Sequence, residues 1–144
     1  MHTGQCYCGS VKYEIRGDID FVVHCHCRNC RRVSGAAFYT AGFLKEANFS
    51  IVEGKDNVQE YNSPSMDGLA RCFCRKCGGR LFIRLPIPGV MNVAITTLDR
   101  ELSTDTGVHI NVASKAPWDK VAKEHPQFDE FPPNFMEQIQ ELAH

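Results

Sequence analysis

Cys25, Cys27 and Cys30 lie within six residues of one another in the run His24-Cys25-His26-Cys27-Arg28-Asn29-Cys30, with no acidic side chain among them. A thiolate is both a nucleophile and a soft metal ligand. Three thiols so closely spaced cannot all pair with one another as disulfides. They can hold three corners of a tetrahedral zinc ion and leave the fourth to water or a substrate thiol. Of the 8 cysteines in the chain, the others are Cys6 and Cys8, then Cys72, Cys74 and Cys77. The Cys-x-Cys and Cys-x-x-Cys spacings favour metal binding over a disulfide framework. The simplest partition gives one closed structural ion to Cys6, Cys8, Cys74 and Cys77, and a second, open and catalytic ion to Cys25, Cys27 and Cys30. Cys72 is left over. It is either a buried core thiol or a fourth ligand that closes the second site and ends any catalytic reading.

The elements that must position these thiols are short. Val11–Ile15 alternates apolar and polar residues and reads as a half-buried strand. Phe21-Val22-Val23 starts a strand that delivers Cys25 and Cys27 on one face and His24 and His26 on the other. Cys27 to Ser34 reads as a short helical turn that brings Cys30 back beside Cys27. Further strands are expected over 38–43, 49–52, 58–61 and 69–73. A hairpin is expected over 81–95, around Pro86-Ile87-Pro88-Gly89. Cys74-Arg75-Lys76-Cys77-Gly78-Gly79 is a metal knuckle whose glycines suit a tight turn. Val108–Val112 is a late strand. A helix over about 134–143 is capped by Asn134 and buries Phe135, Ile139 and Leu142. The pattern predicts one mainly β domain over residues 1–144, with Trp118 as a core anchor.

Composition excludes several partners. With 16 basic and 17 acidic residues the net charge is -1, which offers no electrostatic footprint for nucleic acid. No apolar run approaches the roughly 18 residues that span a bilayer. The N-terminus shows no basic segment followed by an apolar one, so a cytoplasmic location with reduced thiols is expected.

Four ordered motifs carry a resemblance. They are Gly4-Gln5-Cys6-Tyr7-Cys8-Gly9-Ser10-Val11, the run Cys25 to Gly35, Phe73-Cys74-Arg75-Lys76-Cys77-Gly78, and His109 to Trp118. The chain closely resembles the glutathione-dependent formaldehyde-activating enzyme family, which also includes centromere protein V. The resemblance runs from about residue 4 to 132. It implies a zinc β-tent fold of short antiparallel strands built around zinc knuckles, with two ions placed as in the partition above. It implies a carbon–sulfur lyase that acts on small molecules, adding glutathione to formaldehyde to give S-hydroxymethylglutathione. Cys72 departs from the family pattern.

A substrate thiol at the open corner of the second site, favoured there as thiolate, would attack an aldehyde held in the same pocket. Arg28, Arg31 and Arg32 offset the charge of three thiolates and could receive glutathione carboxylates, or form a solvated turn. The family motif singles out His109, as an acid–base or hydrogen-bonding group or a core histidine, and Lys115, as a partner of a substrate carboxylate or an exposed lysine. Arg31, His109 and Lys115 are therefore the expected substrate residues. Two rival functions remain: a non-catalytic, zinc-stabilised β scaffold for a protein partner, and a thiol redox or metal-storage protein.

Overall fold

The computed structural model describes residues 1–102 and 107–144. Its strands are β1 (His2–Gln5), β2 (Lys12–Ile15), β3 (Phe21–Cys25), β4 (Tyr39–Lys45), β5 (Phe49–Glu53), β6 (Val58–Asn62), β7 (Ala70–Cys74), β8 (Arg80–Arg84), β9 (Val90–Ala94) and β10 (Gly107–Ile110). Its α-helices are α1 (Arg28–Ser34) and α2 (Phe135–Leu142). The protein is mainly β, with a 3-stranded sheet in the order β1-β2-β5 and a 7-stranded sheet in the order β10-β3-β4-β9-β8-β7-β6.

Alternation along the strands divides the interior in two. On one side Tyr13 and Ile15 of β2 pack against Leu44, Phe82, Met91 and Val93 of the large sheet. The Phe49 and Phe82 rings approach to 4.8 Å and join the two sheets. On the other face of the large sheet Val23, Ala41, Phe43, Val90 and Ile110 lie beneath Phe135 and Ile139 of α2. Cys25 and Cys30 belong to this second core, whereas Cys6, Cys72 and Cys74 belong to the first.

Most expected strands are present, with four differences. β1 was not expected, because His2-Thr3-Gly4-Gln5 has no apolar alternation. It is held by antiparallel pairing to β2 and by the fit of Gly4, where a methyl group would strike the Tyr13 ring and the Thr97 carbonyl. β10 pairs in parallel with β3, aligning Ile110 with Cys25, so the strands are not all antiparallel. Asn134 does not cap α2 through its side chain; it takes a left-handed conformation (φ 61°). Trp118 is 70% exposed rather than a core anchor.

Candidate metal centres

The first cluster joins two tight turns. Cys6 and Cys8 sit in the β1–β2 connection, where Cys6 N–H donates to the Val11 carbonyl and Gly9 N–H to the Cys6 carbonyl, both at 3.0 Å. Cys74 ends β7, and Gly78 turns the chain back at φ 74°, donating to the Cys74 carbonyl at 2.8 Å. Backbone N–H groups point at the sulfurs: Val11 donates to Cys6 Sγ at 3.3 Å and Gly79 to Cys77 Sγ at 3.4 Å. Such donors favour thiolates. Ser10 Oγ, 3.1 Å from Cys8 Sγ, is the main reason that thiol falls to about 6.

The sulfur spacing tests the fit of a metal. Bonds of about 2.3 Å to a tetrahedral zinc require sulfur–sulfur edges of about 3.8 Å. Cys6 and Cys8 Sγ are 3.7 Å apart, and Cys8 and Cys74 Sγ 3.8 Å. All four sulfurs of Cys6, Cys8, Cys74 and Cys77 lie within 4.8 Å of one another. The donor set and its dimensions suit zinc.

The second cluster is built by the end of β3 and the start of α1. Cys25 is the last residue of β3, and Cys27 is the N-cap of α1, where its Sγ accepts from Cys30 N–H at 3.3 Å. That one bond starts the helix and turns Cys30 toward Cys27. Gly35, at φ 65°, ends the helix after two turns by donating to the Arg31 carbonyl. The three sulfurs of Cys25, Cys27 and Cys30 also lie within 4.8 Å of one another. Shared hydrogen bonds from Cys25 and Cys30 hold the Cys27 thiol far below its ordinary value and push Cys25 and Cys30 above theirs. Cys25 Sγ has a further donor, Asn111 Nδ2, at 3.3 Å. Motif spacing does not point to this contact, because Asn111 reaches the site from a left-handed conformation (φ 54°) just beyond β10.

Cys72 joins neither cluster. It is 1% exposed, and burial together with the Glu60 carboxylate pushes its thiol up to about 12. The parity expected of Cys72 and Cys74 is kept in that both face the first core, and of the two only Cys74 belongs to the first metal cluster.

The expected substrate residues Arg31, His109 and Lys115 sit on three different segments. Arg31 lies on α1, where Nη2 donates to the Ser114 carbonyl at 2.9 Å. Lys115 Nζ donates to the Asp119 carbonyl at 3.1 Å, within its own turn. His109 lies on the sheet face opposite Cys25, with Nδ1 2.7 Å from Nε2 of the fully buried His26. Burial lowers both imidazoles, which keeps them neutral near pH 7. Asp119 Oδ2, 3.8 Å from His26 Nδ1, was not singled out by any motif. His24, His109 and His125 line a cavity of about 780 Å³ on this far face. A second cavity, of about 510 Å³, lies between the clusters, bounded by Tyr7 and Gly79 on one side and by Ser34 and Ala36 on the other. No helix is long and apolar enough to cross a membrane among the described residues.

The fold has a solved counterpart. A crystal structure of a Rhodobacter sphaeroides protein superposes with a TM-score of 0.61 at 22% identity, covering 73% of this chain and 97% of that one. At that identity the likeness is one of fold. A family model described as glutathione-dependent formaldehyde-activating enzyme matches residues 1–114. This match is shorter than the motif resemblance, which extends to Pro132, and both stop before α2. It takes in both cysteine clusters, and on that ground the chain belongs to the glutathione-dependent formaldehyde-activating enzyme family.

Proposed function

We propose that the protein joins a small-molecule thiol to an aldehyde, or reverses that step, at the site formed by Cys25, Cys27 and Cys30. In the forward direction the sulfur–carbon bond forms as the carbonyl π bond opens, and the thiol proton ends on the oxygen. This is carbon–sulfur lyase chemistry of the S-hydroxymethylglutathione type. Cys6, Cys8, Cys74 and Cys77 hold the structural ion in this reading, and the trio holds the catalytic one.

The observation that carries the reading is the number of thiols at the second cluster. Cys72 packs in the opposite core, so three sulfurs share this site and a four-coordinate ion would keep one position for substrate. A zinc ion there supplies Lewis acidity that favours the thiolate form of an incoming thiol. The remaining work falls to the chain. Cys27 and Asn111 fix the orientation of Cys30 and Cys25 through the hydrogen bonds already described. Arg31, one helical turn beyond Cys27, supplies positive charge next to a site made negative by three thiolates. Lys115 and His109 act at one remove from substrate: Lys115 braces the turn that packs on α1, and His109 locks His26 between Cys25 and Cys27.

Zinc-loaded protein mixed with glutathione and formaldehyde tests the assignment. The adduct should form faster than in the uncatalysed reaction, as followed by proton NMR. No acceleration with this pair, nor with other thiols and aldehydes, rejects the reaction.

A further inference from the structure

Beside Cys25 stands a hydroxyl that nothing in the fold uses. β3 and β4 run antiparallel with Tyr39 opposite Cys25, so the two side chains leave the sheet on the same face. Cross-strand partners of this kind have Cβ atoms about 4.5–5.5 Å apart. Tyr39 packs in the second core with both Cys25 and Cys30. It is 5% exposed, and its hydroxyl is buried with no hydrogen-bond partner. A buried phenol ordinarily finds one, and leaving it unpaired destabilises the fold. Tyr13 shows the ordinary arrangement, with its hydroxyl 2.7 Å from Thr97 Oγ1. Phenylalanine at position 39 would fill the same space without the penalty. A local cost with no structural return points to a partner that arrives from outside the chain.

The charges around that hydroxyl suit an oxygen that turns negative. Arg71 is 7% exposed, and its Nη1 is also buried without a partner. None of the ion pairs among the described residues includes it. The guanidinium groups of Arg71 and Arg80 both act on the Tyr39 phenol, and the Cys30 sulfur acts on it with the opposite sign. A phenol is protonated at neutral pH in any setting of this kind. Burial first, and the Cys30 sulfur second, push this one higher still, so it stays a donor. Cys30 is thus near enough to act through its charge, yet no sulfur of the trio is hydrogen-bonded to the hydroxyl. Tyr39 also forms part of the wall of the 510 Å³ cavity. The residue therefore borders both the trio and a space large enough for a small molecule.

We propose that Tyr39 is a catalytic residue whose hydroxyl donates a hydrogen bond to the oxygen of the carbonyl substrate while a thiolate sulfur attacks the carbon at the trio. The inference rests on the thiol–aldehyde reading of the second cluster and can fail apart from it. The sulfur–carbon bond forms as the carbonyl π pair moves onto the oxygen. Negative charge grows there, and a dry donor with no partner to give up stabilises it without reorganising. Arg71 and Arg80 add positive potential to the same region. Tyr39 keeps its own proton. The oxygen takes up, through solvent, the proton that the thiol released on ionising.

Tyr39→Phe removes the hydroxyl and keeps the ring. No hydrogen bond is lost, so Tm should hold or rise, and metal content should equal that of the parent protein. The kcat for glutathione and formaldehyde should fall about 10²-fold, as for the loss of one such donor elsewhere. Tyr13→Phe is the counter-case: it breaks the contact with Thr97, so Tm should fall while activity stays. Formamide, a carbonyl compound that thiols do not attack, probes the hydrogen bond without turnover. Bound to the zinc-loaded parent, its carbonyl stretch should lie lower in the infrared than when bound to Tyr39→Phe, and the variant should bind it about fivefold more weakly. Undiminished turnover in Tyr39→Phe, equal formamide affinity in the two proteins, or no formamide binding to the parent overturns the assignment. So does a Tyr39→Phe protein that loses metal from the second cluster, because the hydroxyl would then serve the thiolates. A parent protein that turns over no thiol–aldehyde pair, yet holds formamide through the Tyr39 hydroxyl, removes the reaction and leaves the carbonyl donor standing.

Discussion

Replacing Cys72 by alanine separates a core thiol from a ligand, and the structure sets the size of each outcome. Cys72 is 1% exposed, lies in the core beneath the small sheet and touches neither sulfur cluster. Deleting its sulfur leaves a void about the size of a methyl group, at roughly 1 kcal/mol. For a chain of this length that lowers Tm by about 2–4 °C. The metal content should stay at the level of the parent protein. Cys30→Ala removes one of three sulfurs from the second cluster, so that site should lose its ion and the thiol–aldehyde activity should vanish. Structural zinc sites supply apparent binding energies of about 10–16 kcal/mol in small peptides. Loss of even a quarter of that from the four-sulfur cluster, as in Cys74→Ala, is about 3 kcal/mol, or a fall in Tm of about 6–12 °C. Metal is counted with a colorimetric chelator after denaturation, and Tm comes from calorimetry. A Cys72→Ala protein that lacks one metal equivalent, or that melts with the Cys74 variant, refutes the separation and with it the open coordination position.

Two further outcomes follow from the second cluster. Asn111→Gly keeps the left-handed backbone free of strain and removes the donor to Cys25 Sγ, so metal affinity there should fall about 10–100-fold with the other cluster unaffected; equal affinity in competition with a chelator would falsify a supporting role for Asn111. Because Cys25 and Cys30 are held protonated above their ordinary range while Cys27 is not, loading this cluster at pH 7 should release about two protons, and its affinity should climb with pH at about two log units per unit; calorimetry in buffers of different ionisation enthalpy reads the number, and a pH-independent affinity contradicts it.

The parts of this site that could be read from the chain were those set by short-range spacing. Cys25, Cys27 and Cys30 are neighbours along the backbone, and a strand running into a helix fixes their directions within one turn. Pairing Cys6 and Cys8 with Cys74 and Cys77 needed only the fact that each pair matches half of a tetrahedral site. Cys72 stays open between core thiol and fourth ligand of the three-cysteine site because local spacing does not say which of the two cores β7 turns it into; the structure puts it in the core opposite Cys25 and Cys30. The contacts that could not be read span long separations. His26 meets His109 across 83 residues and Asn111 meets Cys25 across 86, and both depend on β10 lying parallel to β3. Trp118 was misplaced because burial is the common fate of an indole, and nothing near it in sequence shows that arginines from another element surround it.

The link between Cys8 and Cys74 spans 66 positions. Bridging a loop of that length restricts the unfolded chain by about 4 kcal/mol in the chain-entropy treatment of crosslinks. A zinc ion gripping both turns is therefore a staple that a chelator can withdraw, unlike a disulfide, which a chelator leaves intact. When it is withdrawn, the β1–β2 ribbon keeps its pairing to β5, its packing under the large sheet and the contacts of Thr3, Gly4 and Tyr13 with the 97–99 segment, while β3 and α1 carry no ligand of that ion. Zinc scarcity would thus reach this protein first as a loosened amino-terminal ribbon, open to proteases, well before its larger sheet gives way.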